Sequence, residues 1–169
     1  MNVIDYSRRR GAIVHLWPKV YSILNESSVH AYGGRTASES SAAYHIWSKE
    51  MNKAVVDNKY RWLFAMQGTN EVWGVLFYHV DGNSIYIDTL AATRQNSKIL
   101  EALIVKFERE DAIKSAENFY VSRNVKKEEA EEMLETVGLQ NDSVFDDRGY
   151  QLLGGLIDAL RMLRLRYLR

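Results

Sequence analysis

The chain of 169 residues contains no cysteine, which removes disulfide bridges and thiolate chemistry and fits a cytosolic address. It has a single proline, Pro18, which either kinks an early helix or opens that helix's second half at a first-turn position. Net charge is also missing. The 22 Lys and Arg residues balance 22 Asp and Glu, so there is no global pull toward nucleic acid or a membrane surface. No stretch approaches the ~20 consecutive apolar residues of a membrane span. The N-terminal MNVIDYSRRR has its basic cluster after a short apolar run and does not read as a signal peptide, so the expected location is the cytoplasm. The four histidines show no i, i+4 pair and no His-Glu-x-x-His spacing, so a metal site is not expected. No Gly-x-Ser-x-Gly elbow supports a serine hydrolase.

What is present describes one globular domain over residues 1–169. Hydrophobic residues make up 46% of the chain, enough at this length to bury roughly 70% of the unfolded surface. Asn2–Tyr6 reads as a short strand, with Ser7 as a helix N-cap. Ile13, Leu16, Trp17, Val20, Ile23 and Leu24 then recur at helical spacing. After Gly33-Gly34 a second helix is expected to about Val56, with Ala43, Trp47, Met51 and Val55 on its apolar face. The period then changes to two. Tyr60–Gln67, Glu71–Val80 and Ser84–Ala92 read as strands separated by GTN and DGNS turns, which predicts an antiparallel meander. Ser97–Glu110 is a helix with Ile99, Leu100, Leu103, Ile104 and Phe107 on one face. Glu117–Arg123 is a strand reached by that crossover and therefore parallel to Ser84–Ala92. Asn124–Val137 is helical and stops at Gly138.

The C-terminus is ambiguous. In DALRMLRLRYL, Leu163, Leu165 and Tyr167 alternate with Arg164 and Arg166, which favours a strand over Asp158–Leu168. An amphipathic helix from Leu156 is the alternative. As a strand it would be an arginine-rich sheet edge and would favour a homodimer. The four tryptophans, Trp17, Trp47, Trp62 and Trp73, fall on apolar faces and read as core. His15, His30 and His45 are spaced by 15 without matching surroundings, so no repeat is inferred. His79 is a lone histidine on a strand, read first as a packed or surface residue. Arg8–Arg10 and the C-terminal arginines are basic, but no aromatic-basic interleaving accompanies them, so nucleic-acid binding is not expected.

The stretch that raises a functional question is LAATRQNSKILEAL, residues 90–103, where a strand runs into a helix. A helix N-terminus with free backbone N–H groups and a partial positive charge suits a phosphate. Such loops usually carry glycine, which lets the backbone approach the ligand, and this one has none.

The order of strand, two helices, three antiparallel strands, helix, strand, helix and a final hairpin resembles the GCN5-related N-acetyltransferase (GNAT) fold over essentially the whole chain. That fold is α+β, a mixed, twisted sheet with helices on both faces. The closest local match is YVSRNVKKEEAEEMLETVGL, residues 120–139, with Asn124 at the strand end, Ala130 on the helix and Gly138 after it. DALRMLRL is similar to the final strand of many members.

The resemblance implies that an amine attacks the thioester of acetyl-coenzyme A. It places the pantetheine arm along Asp88–Ala92, including Leu90, Ala91 and Ala92. The pyrophosphate falls on Arg94, Gln95, Asn96, Ser97, Lys98 and Ile99, and Asn124 belongs to the same site. Arg94 fits the first position of the family's loop, but Ser97 and Ile99 stand where glycines are usual. Ile99 would crowd the ligand, or strain the backbone by about 1–3 kcal/mol if its position needs φ > 0. Arg94, Lys98 and the Ser97 hydroxyl would compensate in part. The tyrosine acid common in the family is matched by Leu134. Asp88 is the nearest candidate base, although alternation leaves open which side it faces. Three functions follow: acetyl transfer to a small or protein amine, a GNAT-like module without catalysis, or an unrelated α+β binding domain.

Overall fold

The structure, a computed structural model, describes residues 1–7, 15–20, 22–23, 26, 59–122 and 150–168. Near-continuous apolar runs in YRWLFAMQ and EVWGVLFYHVD bury both faces of each strand, and a sheet covered on both sides results. Its strands are β1 (Asn2–Asp5), β2 (Tyr60–Gln67), β3 (Glu71–Asp81), β4 (Ser84–Ala92), β5 (Asn118–Ser122) and β6 (Tyr150–Gly154), adjacent in that order. β1 through β4 pair antiparallel. The two tight connections of the meander place Gly68 and Gly82 at φ 65° and 58°, a conformation that other residues adopt at a cost.

β5 pairs parallel with β4, matching Ser84 with Asn118 and Ile87 with Val121. The connection between them is the helix α1 (Ser97–Arg109) and a short turn of helix α2 (Asp111–Lys114). The crossover read from the sequence is therefore the one observed. On one face of the sheet, Leu63, Ala65, Leu76, Ile85, Ile87 and Leu90 pack against Leu100, Leu103, Ile104 and Phe107 of α1. On the other face Trp62, Phe64, Met66, Val75 and Phe77 pack against Leu16, Val20 and Ile23. Trp62 is fully buried, and Trp17 and Trp73 are half-buried at the margins of these clusters. Trp47 lies outside the described residues. Ser7 is buried; its Oγ accepts from Trp62 N–H at 2.9 Å and so extends the β1–β2 pairing. The residues that it was expected to cap lie outside the described ones.

The C-terminal segment corrects the sequence reading. Leu156–Tyr167 is a helix, α3, not a strand. Its buried residues Ala159, Leu160, Met162 and Leu163 follow the helical period, and they close the core on the α1 face. The Leu/Arg alternation misled because Leu163 and Tyr167 are also one helical turn apart. Arg164 lies beside α1, donating from Nε and Nη2 to the Glu101 carboxylate at 2.9–3.2 Å. The strand that precedes α3 is β6, antiparallel to β5. The argument for dimerisation through an arginine-rich final strand falls with the strand.

Glu110, at the end of α1, makes one pH-dependent contribution. Burial is the main cause that raises its carboxyl above the usual range, and the nearby Asp5 adds to this. The same surroundings push the buried Tyr78 phenol upward. The folded state thus favours the protonated Glu110. That contribution is complete below the ordinary carboxylate range and is lost as pH rises through the raised folded value. Glu110→Gln should therefore gain stability relative to the parent between pH 4 and pH 7. Thermal denaturation at both pH values checks this, and an unchanged difference in Tm would refute it.

Candidate functional site

The candidate site begins at the end of the β4–β5 pairing among the described residues. β3 stays paired with β4 to its end, matching Leu76 with Leu90, Val75 with Ala91 and Gly74 with Ala92. β5 pairs with β4 only as far as Ile87 and Val121. Between these regions the β3–β4 register slips from Phe77/Thr89 to Tyr78/Ile87, and Asp88 is the extra residue. A bulge of this kind bends a strand and increases its local twist. Beyond Asp88, then, β4 presents a length of main chain that β5 does not pair among the described residues. Leu90 and Ala92 face α1, and Ala91 faces the opposite cluster.

From this strand the chain passes through a single 3-10 turn, Thr93–Gln95, into α1. The positive φ falls on Arg94, at 54°, and not on Ser97 or Ile99. Asn96 is the N-cap, its Oδ1 accepting from Lys98 N–H at 3.0 Å and Ile99 N–H at 3.3 Å. Arg94 N–H donates to the Glu26 carboxylate at 2.7 Å. Arg94, Ser97 and Lys98 are exposed. Ile99 is not at the loop surface. It is 7% exposed and turned onto the sheet, where a Cβ added to Gly74 would lie 2.7 Å from Ile99 Cγ2. The glycine needed for close approach is in β3, and Ile99 fills the space that it leaves. Asn124, Ala130, Leu134 and Gly138 lie outside the described residues.

Asp88 faces the side opposite α1. It is 5% exposed, and His79, beside it on β3, is 6% exposed. Asp88 Oδ2 accepts from His79 Nδ1 at 2.8 Å, and Oδ1 accepts from the Tyr150 hydroxyl at 2.5 Å. Around this trio the register aligns four rings across four strands: Tyr60 opposite His79, His79 opposite Tyr86, and Tyr86 opposite Tyr120. Their centroids are 4.8, 4.9 and 4.7 Å apart, and the last two pairs are stacked nearly parallel. Tyr150 stands edge-on to both His79 and Tyr86. A carboxylate in so little water holds its donors firmly, and a His–Asp pair there can take and release a proton.

Sequence reasoning did not bring His79 and the four tyrosines together. Their spacing along the chain carries no motif, because only strand register brings them together. Among the described residues no group of His, Asp and Glu side chains could hold a metal ion. No described helix is long and apolar enough to cross a membrane.

No protein-family profile and no curated protein sequence matches this chain. Solved structures do. The PaiA N-acetyltransferase from Thermoplasma acidophilum, in complex with coenzyme A, superposes with a TM-score of 0.62 at 12% identity over 90% of this chain and 98% of that one. An aminoglycoside 6′-N-acetyltransferase from Enterococcus faecium matches at 17% identity with a TM-score of 0.47, over 72% of this chain and 61% of its own, too distant a likeness to add weight. With the parallel β4–β5 pair, the crossover helix and clusters on both sheet faces, the chain has the GNAT-like α+β fold.

Proposed function

We propose that the protein is an N-acetyltransferase that moves an acetyl group from acetyl-coenzyme A to a primary amine of a small molecule or protein. The observation that carries this reading is the bulge at Asp88 in β4, beside the end of the β4–β5 pairing among the described residues, within a GNAT-like fold. Main-chain groups of Leu90, Ala91 and Ala92 on that side suit the amides of a pantetheine arm, which would add to β4 much as an extra strand does. The pyrophosphate would follow at Arg94, Gln95, Asn96, Ser97 and Lys98, beside the N-terminus of α1, with Asn124 nearby. Ile99 would support the loop from beneath. The thioester would then reach Asp88, where a buried His–Asp pair can manage the amine's proton. No metal is called for.

A specific observation favours a second reading, a coenzyme-free interaction module. The N–H groups of Lys98 and Ile99 are already satisfied by Asn96, and that of Arg94 by Glu26. Calorimetry separates the two. Acetyl-coenzyme A is expected to bind, with Arg94→Ala weakening it roughly tenfold, as the loss of one charge-assisted contact does. Glu26→Gln should strengthen binding by withdrawing a competing carboxylate. Binding should be followed by thiol release from acetyl-coenzyme A when amines are supplied. No binding by either the parent or Glu26→Gln would leave the module reading.

A further inference from the structure

We propose that His79 is the group that takes the proton from the acceptor amine, and that Asp88 and Tyr150 position it. The inference rests on the acetyl-transfer reading and assigns the proton step within it. Both Asp88 oxygens are occupied, Oδ2 by His79 Nδ1 and Oδ1 by the Tyr150 hydroxyl. A carboxylate only accepts, so it selects the imidazole tautomer with hydrogen on Nδ1 and leaves the Nε2 lone pair as the open acceptor of the trio. The His79 imidazole makes no hydrogen bond other than that to Asp88 among the described residues.

The ring is also held in place. It lies between Tyr60 of β2 at 4.8 Å and Tyr86 of β4 at 4.9 Å, with an angle of 7° to the latter. Tyr150 of β6 meets its edge at 5.8 Å. The titratable groups that face it are therefore Tyr60, Tyr86, Asp88 and Tyr150, of which Asp88 is the carboxylate.

An ammonium R–NH₃⁺ gives one proton to His79 Nε2. The freed nitrogen pair attacks the thioester carbonyl carbon and a C–N bond forms. The tetrahedral adduct collapses, the C–S bond breaks, and sulfur leaves with the electron pair. A second proton from the attacking nitrogen goes to sulfur, giving amide and coenzyme A thiol, and His79 returns its proton to solvent.

The test uses the full chain, acetyl-coenzyme A and a panel of primary amines, with thiol release as the readout. His79→Gln is expected to lower kcat about 10²–10⁴-fold, the usual worth of a positioned base, with KM for acetyl-coenzyme A little changed. The fall of kcat/KM on the acidic side should flatten in the same variant. Asp88→Asn should lower kcat while retaining that fall, since His79 remains. A folded His79→Gln that keeps both kcat and the acidic fall overturns the proposal. Failure of the acetyl-transfer reading looks different: the parent itself would release no thiol with any amine. Should His79→Gln not fold, nitrogen NMR of the parent decides. Neutral His79 should be protonated on Nδ1, and finding the Nε2–H tautomer overturns the proposal without reference to turnover.

Discussion

Ile99→Gly should destabilise the protein by about 3–6 kcal/mol, combining a large-to-small core change with glycine's penalty inside a helix. The reason is the seat of α1 on the sheet. Ile99 Cγ2 occupies the space above Gly74, and Leu103 Cδ1 would lie only 3.0 Å from a Cβ placed there. Removing the isoleucine leaves a void at the first turn of the helix that also carries the candidate anion loop. At this chain length the loss corresponds to a fall in Tm of roughly 6–24 °C, measurable by calorimetry. The loop's sequence alone suggests the reverse outcome, that glycine would relieve crowding and improve binding of acetyl-coenzyme A. A stable Ile99→Gly variant with tighter binding would show that Ile99 faces the ligand after all.

Tyr86→Ala should cost about 3–5 kcal/mol, the usual range for deleting a buried aromatic ring. Tyr86 is 8% exposed and is an inner ring of the row, stacked on His79 and Tyr120 and met edge-on by Tyr150. Aromatic pairs of this geometry add about 0.5–1.5 kcal/mol beyond their buried area, so the row should behave as a coupled unit. A double-mutant cycle with Tyr120→Ala measures this. The two changes together should cost less than the sum of each alone, because either one already breaks the stack. Denaturant unfolding that returned additive values, or a single loss below about 1 kcal/mol, would show that the row is incidental to stability.

Much of the architecture is legible in the chain because it depends on local period and on turns. The short apolar runs of β2 and β3, the Asp81-Gly82 turn and the apolar face of Ile99, Leu100, Leu103, Ile104 and Phe107 determine a meander followed by a helix. Once that helix intervenes between β4 and β5, a parallel pair follows from the length of a crossover. The C-terminal segment was not legible in this way. Leu163, Leu165 and Tyr167 fit two periods, and contact with α1 through Arg164 and Glu101 goes with the helical one.

The candidate site depended still more on tertiary structure. The sequence placed Asp88 at the start of the stretch Asp88–Ala92 expected to hold a coenzyme, but alternation could not say which way it points, because one extra residue in a strand resets every side chain after it. The bulge at Asp88 exists only as a difference in register between β3 and β4. His79, Tyr86 and Tyr120 come from three strands, and Tyr150 from a fourth, so nothing local in the chain marks them as neighbours. Ile99 is the same lesson in reverse. Read in its loop it is an obstacle to a ligand, and read in the fold it is the side chain that fills the hollow over Gly74. Composition and period determined the layers. Register and packing decided which residues meet around the bulge at Asp88.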